Sequence, residues 1–126
     1  MVFDDDFKAW LTSSTSAGVP ASVRAFSFNL YELQKDGSAF GVELIGSSDF
    51  DTEGSDWACN EVWAATPRML AIPVAFSSRS WEACLEAVKR MVIAAVDENN
   101  TCKVLKTREG IAVGFVDGDL ELVWQR

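Results

Sequence analysis

Histidine is absent from the chain of 126 residues, and cysteine and proline occur only three times each. Without histidine, the chain lacks the commonest general base, the usual catalytic triads and most zinc and iron sites. The positions of Cys59, Cys84 and Cys102 form no C-x-x-C pair, which excludes a four-thiolate metal site within one chain. An odd number of cysteines predicts free thiols in a reducing compartment.

Long apolar runs are also missing, and a leader sequence is not expected. No apolar run approaches 18 residues, which argues against a membrane-spanning helix. The first six residues carry three aspartates and no basic side chain, whereas a signal peptide begins with a positively charged segment. The glycines are scattered and form no nucleotide-binding fingerprint. We therefore expect a cytoplasmic protein that binds no cofactor.

Positive charge is scarce, since 11 lysines and arginines stand against 19 aspartates and glutamates and the net charge is −8. Nucleic acids and anionic membranes bind basic surfaces, so this balance argues against a general affinity for either. A basic protein partner fits the charge. The length and the 48% share of apolar residues predict one globular domain, residues 1–126.

Two segments have apolar residues at helical spacing. The first runs from Asp4 to about Ser14, and its apolar stripe is Phe3, Phe7, Trp10 and Leu11. The second runs from Trp81 to about Asp97 behind a capping Ser80, and its stripe is Trp81, Cys84, Leu85, Val88, Met91, Val92, Ala95 and Val96. Both stripes predict helices packed on a core, with the Cys84 thiol buried and inert.

Alternating apolar and polar residues predict a hairpin from segments 24–33 and 38–45. The loop between them, Lys35-Asp36-Gly37, suits a type I turn followed by a bulge at glycine. In this register one face of the hairpin is mostly apolar. The predicted pairs are Leu30 with Val42, Phe28 with Leu44, and Glu32 with Phe40.

Two more strands are predicted at 61–66 and 69–76, with Pro67 between them. Pro73 inside the second cannot donate a ladder hydrogen bond, which favours an edge strand. The turn signal Asp117-Gly118 then predicts a second hairpin. Its pairs, all apolar and on one face, are Phe115 with Leu120, Val113 with Leu122, and Ile111 with Trp124.

These elements predict an α+β fold in the order helix, four strands, helix, two strands. The sheet is expected to be mainly antiparallel, with about six strands. The long helix is expected to pack on one face of the sheet, accompanied by a short N-terminal helix.

Acidic residues are most concentrated in segment 49–57, which reads Asp-Phe-Asp-Thr-Glu-Gly-Ser-Asp-Trp. Its spacing partly matches a calcium-binding loop, but Asn60 stands where that loop requires a bidentate glutamate. A carboxylate pair for acid–base catalysis is a second interpretation, although glycosidases that use one are usually larger. A third is a binding surface, and a fourth is a solvated loop in which Trp57 fills the edge of the core.

We favour the binding surface, because clustered carboxylates steer a basic partner and aromatic side chains anchor it. Trp57 is the expected hot spot, since Trp81 and Trp124 fit core positions, and Trp63 lies nearby in the sequence. The predicted partner-binding residues are Asp49, Phe50, Asp51, Glu53, Asp56, Trp57 and Glu61.

Four segments carry a resemblance to a known family. They are Tyr31-Glu32, Glu43-Leu44-Ile45-Gly46-Ser47, Asp56-Trp57-Ala58-Cys59-Asn60-Glu61 and Gly114-Phe115-Val116-Asp117-Gly118-Asp119-Leu120-Glu121. These segments resemble parts of small bacterial immunity proteins, which are encoded beside polymorphic or contact-dependent toxins. The resemblance implies an acidic α+β protein without catalytic residues that binds and neutralises a cognate toxin.

The expected function is therefore that of a non-catalytic protein-binding module, an immunity protein whose partner is a basic toxin domain. No metal or other cofactor and no nucleic-acid or membrane partner is expected. Two alternatives from other classes stay open: a small carboxylate-dependent enzyme, and a structural or assembly subunit of a larger complex.

Overall fold

A computed structural model describes residues 3–16, 18–35, 37–54, 56–78, 80–97, 103–116, 118 and 120–126. Its helices and strands are, in chain order, α1 (Phe3–Ser16), β1 (Ala25–Lys35), β2 (Ser38–Ser47), β3 (Glu61–Ile72), α2 (Val74–Ser77), α3 (Trp81–Asp97), β4 (Gly110–Phe115) and β5 (Glu121–Gln125). Short 3₁₀ helices lie at Asp56–Cys59 and Lys103–Thr107. The architecture is α+β, as the sequence predicted.

The five strands form one sheet in the order β3-β2-β1-β4-β5. Three neighbouring pairs are antiparallel, but β1 and β4 at the middle of the sheet run parallel. The expectation of about six strands in a mainly antiparallel sheet is therefore wrong in both respects. The chain segment that contains α3 leads from the edge strand β3 to β4, on the far side of β2 and β1. A crossover of this kind joins strands that run in the same direction.

The first hairpin has the predicted register. Leu30 faces Val42, Phe28 faces Leu44 and Glu32 faces Phe40. The register shifts between Glu32 and Lys35, and Gly37 has a φ of 82°, as the predicted glycine bulge requires. Asp36, the middle residue of that loop, lies outside the described residues. The turn chemistry and the apolar alternation thus fixed the same pairing.

The two strands predicted around Pro67 are one continuous edge strand, β3. Pro67 fits within it through a cis peptide bond, and Pro73 lies just beyond its end, before α2. Proline is tolerated there because the outer side of an edge strand forms no ladder. Helix α1 covers this edge: the Ser14 hydroxyl donates to the Thr66 carbonyl and accepts from the Thr66 N–H, at 3.2 and 3.1 Å.

Helices α1 and α3 pack on one face of the sheet, here called the core face. All four predicted stripe residues of α1 are buried, and six residues of the α3 stripe are buried as well: Cys84, Val88, Met91, Val92, Ala95 and Val96. Ser80 caps α3 by accepting a hydrogen bond from the Ala83 N–H at 3.3 Å. Leu85 packs against the core but is only partly buried, and Trp81 is 55% exposed, so the predicted core stripe is wrong at Trp81.

The C-terminal hairpin differs from its prediction in register. Ile111 faces Trp124 as expected, but a bulge follows and Val113 then faces Glu121 instead of Leu122. A one-residue shift exchanges the faces of a strand. Leu122 is consequently exposed, and Leu120 packs on the second face of the sheet rather than on the core face. The predicted turn lies partly outside the described residues, which include Gly118 but not Asp117.

Within the described part of the chain, no helix combines the length and the apolar character that crossing a bilayer requires.

Candidate functional site

The acidic loop, residues 48–60, joins β2 to β3 and lies against the second face of the sheet. Its base is closed by a hydrogen bond from the Ser48 N–H to the Asn60 carbonyl, 3.0 Å long. Before β3 begins, the chain makes the 3₁₀ turn Asp56–Cys59. The structure describes this loop except for residue 55.

Trp57 points inward and is only 3% exposed. Its indole packs in a small cluster with Ala25 and Ala112 on the second face of the sheet. The Phe50 ring meets it edge-on at a centroid distance of 5.3 Å, and the Ser47 hydroxyl donates to the Trp57 carbonyl. The expectation that Trp57 is an exposed hot spot is therefore wrong, because its indole has no surface to offer a partner.

Gly110 makes the close packing of Phe50 possible. A Cβ atom at this position would lie 2.5 Å from two carbon atoms of the Phe50 ring. Gly110 faces Ala25 across the β1–β4 pair, and Ala112 follows two residues later. These small residues leave a shallow floor on the sheet, and the two aromatic rings of the loop fill it.

The carboxylates of the loop point outward, in contrast to its aromatic rings. Asp49, Asp51, Glu53 and Asp56 are all exposed. Asp49 accepts from the Asn60 amide at 3.4 Å and lies 3.6 Å from the Arg24 guanidinium, which also binds Glu109. Two inward rings thus hold a row of outward charges in place.

Glu61 does not belong to this row of outward charges. The Arg68 guanidinium donates to both of its oxygens, at 2.5 and 2.6 Å, and to Glu43 at 2.9 Å. The hydrogen bonds from Arg68 lower the pKa of the Glu61 carboxyl below its usual value of 4.5. A neutralised carboxylate attracts a basic partner weakly, so Glu61 fits the predicted surface less well than the loop carboxylates do.

Trp63, the other aromatic residue near the acidic segment, packs edge-on against Phe26 at 5.7 Å and supports the core face. Trp81, which the sequence placed in the core, borders an open pocket between α3 and the ends of β1 and β4. The sequence feature that could have indicated this exposure is the place of Trp81 as the first residue of α3. The first residue of a helix can extend beyond the surface that the rest of the helix covers.

Acidic and sulfur ligands do not converge on a metal site within the described residues, where no group of three or more could hold an ion. Cys59 is exposed, Cys84 is buried, and both are free thiols, while Cys102 lies outside the described residues. Burial raises the pKa of the Cys84 thiol to about 11, so this group stays protonated near neutral pH. Its place on α3 is that of a small core side chain.

Comparison with known proteins adds no relative to these observations: no protein-family model, curated protein or solved structure matches the chain.

Proposed function

We propose that the protein is a non-catalytic protein-binding module, and specifically an immunity protein that binds and neutralises a basic toxin domain. The observation that carries this proposal is the acidic loop, in which buried Trp57 and partly buried Phe50 hold exposed carboxylates on the protein surface. Such a surface attracts a cationic partner over several ångströms and suppresses binding of anionic ones.

The affinity of this surface for a partner is expected to depend on the fixed conformation of the loop as well as on its charge. Glu53 and Asp56 have no ion pair among the described residues, so their charges are available to a partner. Because the loop is fixed by its two rings and by its closed base, a partner need not order it on binding. Preorganisation reduces the entropy that association loses, which favours tight binding.

The two carboxylates that share Arg68 support a non-catalytic role. The Arg68 guanidinium binds both Glu43 and Glu61, and its hydrogen bonds lower the pKa of the Glu61 carboxyl. A general acid at neutral pH requires the opposite, a carboxyl whose pKa is raised toward 7. The arrangement therefore suits a structural ion network on the second face of the sheet better than acid–base chemistry.

Co-purification of the tagged chain from its native host, followed by co-expression, tests the toxin assignment. We expect a co-eluting protein with a domain that stops growth when expressed alone and permits growth when this chain is co-expressed. If the partner domain is harmless, or if the chain does not relieve its toxicity, the immunity assignment is wrong.

A charge-matched pair of variants then tests the loop as the binding surface. One variant replaces Asp49, Asp51, Glu53 and Asp56 by their amides, and its control replaces Asp5, Asp6, Glu82 and Asp97, four exposed carboxylates on the helices. Both lose four negative charges, so long-range steering falls equally. We expect only the loop variant to lose about tenfold or more in affinity at low salt. Equal affinities for the two variants would place the interface elsewhere.

A further inference from the structure

A pocket of about 420 Å³ opens where β1 and β4 end, beside the first turns of α3. This volume lies within the range of about 300–1,000 Å³ that is usual for ligand sites. The pocket is far from the acidic loop, which lies at the other end of β1 near Ala25. Seven residues of extended strand separate Ala25 from Glu32, or roughly 20 Å. Its lining residues are Tyr31, Glu32, Trp81, Leu85, Phe115, Val116 and Gly118.

Trp81 forms an exposed aromatic wall of this pocket. Its ring meets Phe115 edge-on at 6.1 Å, and Phe115 in turn meets the buried Phe40 at 5.6 Å. Phe115 thus packs against one side of the indole, while 55% of Trp81 stays exposed. Val116, which also lines the pocket, is 60% exposed. Large apolar side chains that are exposed next to one another are typical of interaction sites.

Glu32 is the charged member of the lining, and it carries the argument for the occupant. The other glutamates of the sheet are paired: Glu43 and Glu61 bind Arg68, and Glu121 binds Lys89 at 2.8 Å. Glu32, in contrast, has no hydrogen bond or ion pair with any side chain that the structure describes. A carboxylate that no described cation pairs with, next to an exposed indole, is complementary to a flat, positively charged group.

We propose that this pocket binds an arginine side chain of a protein partner. A guanidinium stacks on an indole face and can bind both oxygens of a carboxylate at the same time, whereas an ammonium group interacts as a point charge. The net charge of −8 favours the approach of a basic partner. This inference goes beyond the proposed function, because it concerns a second surface and requires no toxin.

Titration of the full-length protein with short capped peptides tests the pocket directly. The probes are acetyl-Gly-Arg-Gly-amide, its lysine version, and its citrulline version, in which a neutral urea replaces the guanidinium. The readout is the NMR signal of the Trp81 indole N–H, assigned with Trp81→Phe. We expect a saturable shift with the arginine peptide and at least about fivefold weaker binding of the other two peptides.

Glu32→Gln, which keeps the shape of the side chain, isolates the contribution of its charge. We expect about fivefold weaker binding of the arginine peptide, against less than about twofold for Asp97→Asn, an exposed carboxylate at the other end of α3. Thermal melts of both variants verify that they are folded. An absent or unsaturable shift, equal binding of the citrulline or lysine peptide, or an unchanged affinity of Glu32→Gln would overturn the proposal. None of these outcomes bears on the acidic loop, whose test measures the affinity of the loop variant for the partner protein rather than for a peptide.

Discussion

At the scale of single residues, two tryptophans have roles opposite to those that their sequence neighbours indicated. Trp57 lies among carboxylates but is buried, whereas Trp81 begins an apolar stripe but is exposed. Trp57 is buried because Ala25 and Ala112 leave room on the sheet for a large ring. Trp81 is exposed because it is the first residue of α3 and borders the open pocket, where its ring meets Phe115 edge-on. Flanking charge is therefore a poor guide to the burial of an aromatic residue.

The burial of Trp57 and the exposure of Trp81 predict a large difference in stability between two alanine variants. Trp57→Ala should lower the free energy of unfolding by about 3–5 kcal/mol, since it removes a buried ring and leaves a cavity. Trp81→Ala should lower it by less than about 1 kcal/mol, because more than half of that residue is already in water. Denaturant melts of the two variants provide the comparison, and equal losses would contradict the burial of Trp57.

At the scale of elements, the acidic loop is a packed part of the structure rather than a flexible connection. Its two aromatic rings cover Ala25 and Ala112 on the second face of the sheet. The sequence signal is the alternation of small residues on adjacent strands, with Gly110 and Ala112 on β4 beside Ala25 on β1. These small residues can be recognised as one packing surface only when the β1–β4 pairing is known, because the two strands are far apart in the sequence.

Two glycine variants test this packing without changing any charge. Gly110→Ala places a methyl group against the Phe50 ring, and we expect a loss of about 1–3 kcal/mol in stability together with faster hydrogen exchange of the loop amides. Gly54→Ala is the matched control, because a Cβ atom there meets no atom within 4 Å, and its stability should stay within about 0.5 kcal/mol of the parent. Unchanged loop exchange in Gly110→Ala would show that Phe50 does not hold the loop.

At the scale of the whole molecule, ion pairs connect segments that are distant in sequence. Arg24 before β1 binds Glu109 before β4 at 2.6 Å, Arg68 on β3 binds Glu43 on β2, and Lys89 on α3 binds Glu121 on β5. Most of these groups are partly exposed, so each pair contributes little by itself. In a chain with a net charge of −8, they reduce the repulsion between carboxylates where the strands meet.

The Arg68–Glu61 and Arg24–Glu109 ion pairs predict how the free energy of unfolding depends on pH. Hydrogen bonds from Arg68 and Arg24 lower the pKa values of Glu61 and Glu109 in the folded state below the usual 4.5. Their contribution is therefore complete above about pH 5 and is lost as the pH falls through the lowered folded values.

A pair of arginine variants measures this loss. Arg68→Met should show a smaller decrease in stability between about pH 5 and pH 3 than the parent protein does, because Glu61 then titrates near its unfolded value. Arg90→Met, an exposed arginine on α3 without a described ion pair, should follow the parent curve. Parallel curves for Arg68→Met and the parent, in chemical denaturation at each pH, would contradict this assignment.

The sequence predicted correctly those elements whose periodicity, capping and turn residues lie close together in the chain. The bounds of α3 match the prediction, α1 buries the predicted residues, and the β1–β2 hairpin has the predicted register. In each of these elements, periodicity, capping or turn chemistry acts between residues a few positions apart, and all of them favour the same conformation. The α+β class follows from the same local patterns.

How these elements combine depends on contacts that local sequence patterns do not specify. The parallel β1–β4 pair, the bulge that turns Leu122 outward and the continuity of β3 through Pro67 depend on contacts between distant segments. The same is true of the candidate sites, because the floor beneath Trp57 and the pocket at Trp81 exist only after β4 is placed beside β1. Local patterns set the apolar face of an element, but which neighbour covers that face is a competition among all elements, and packing of the whole chain resolves it.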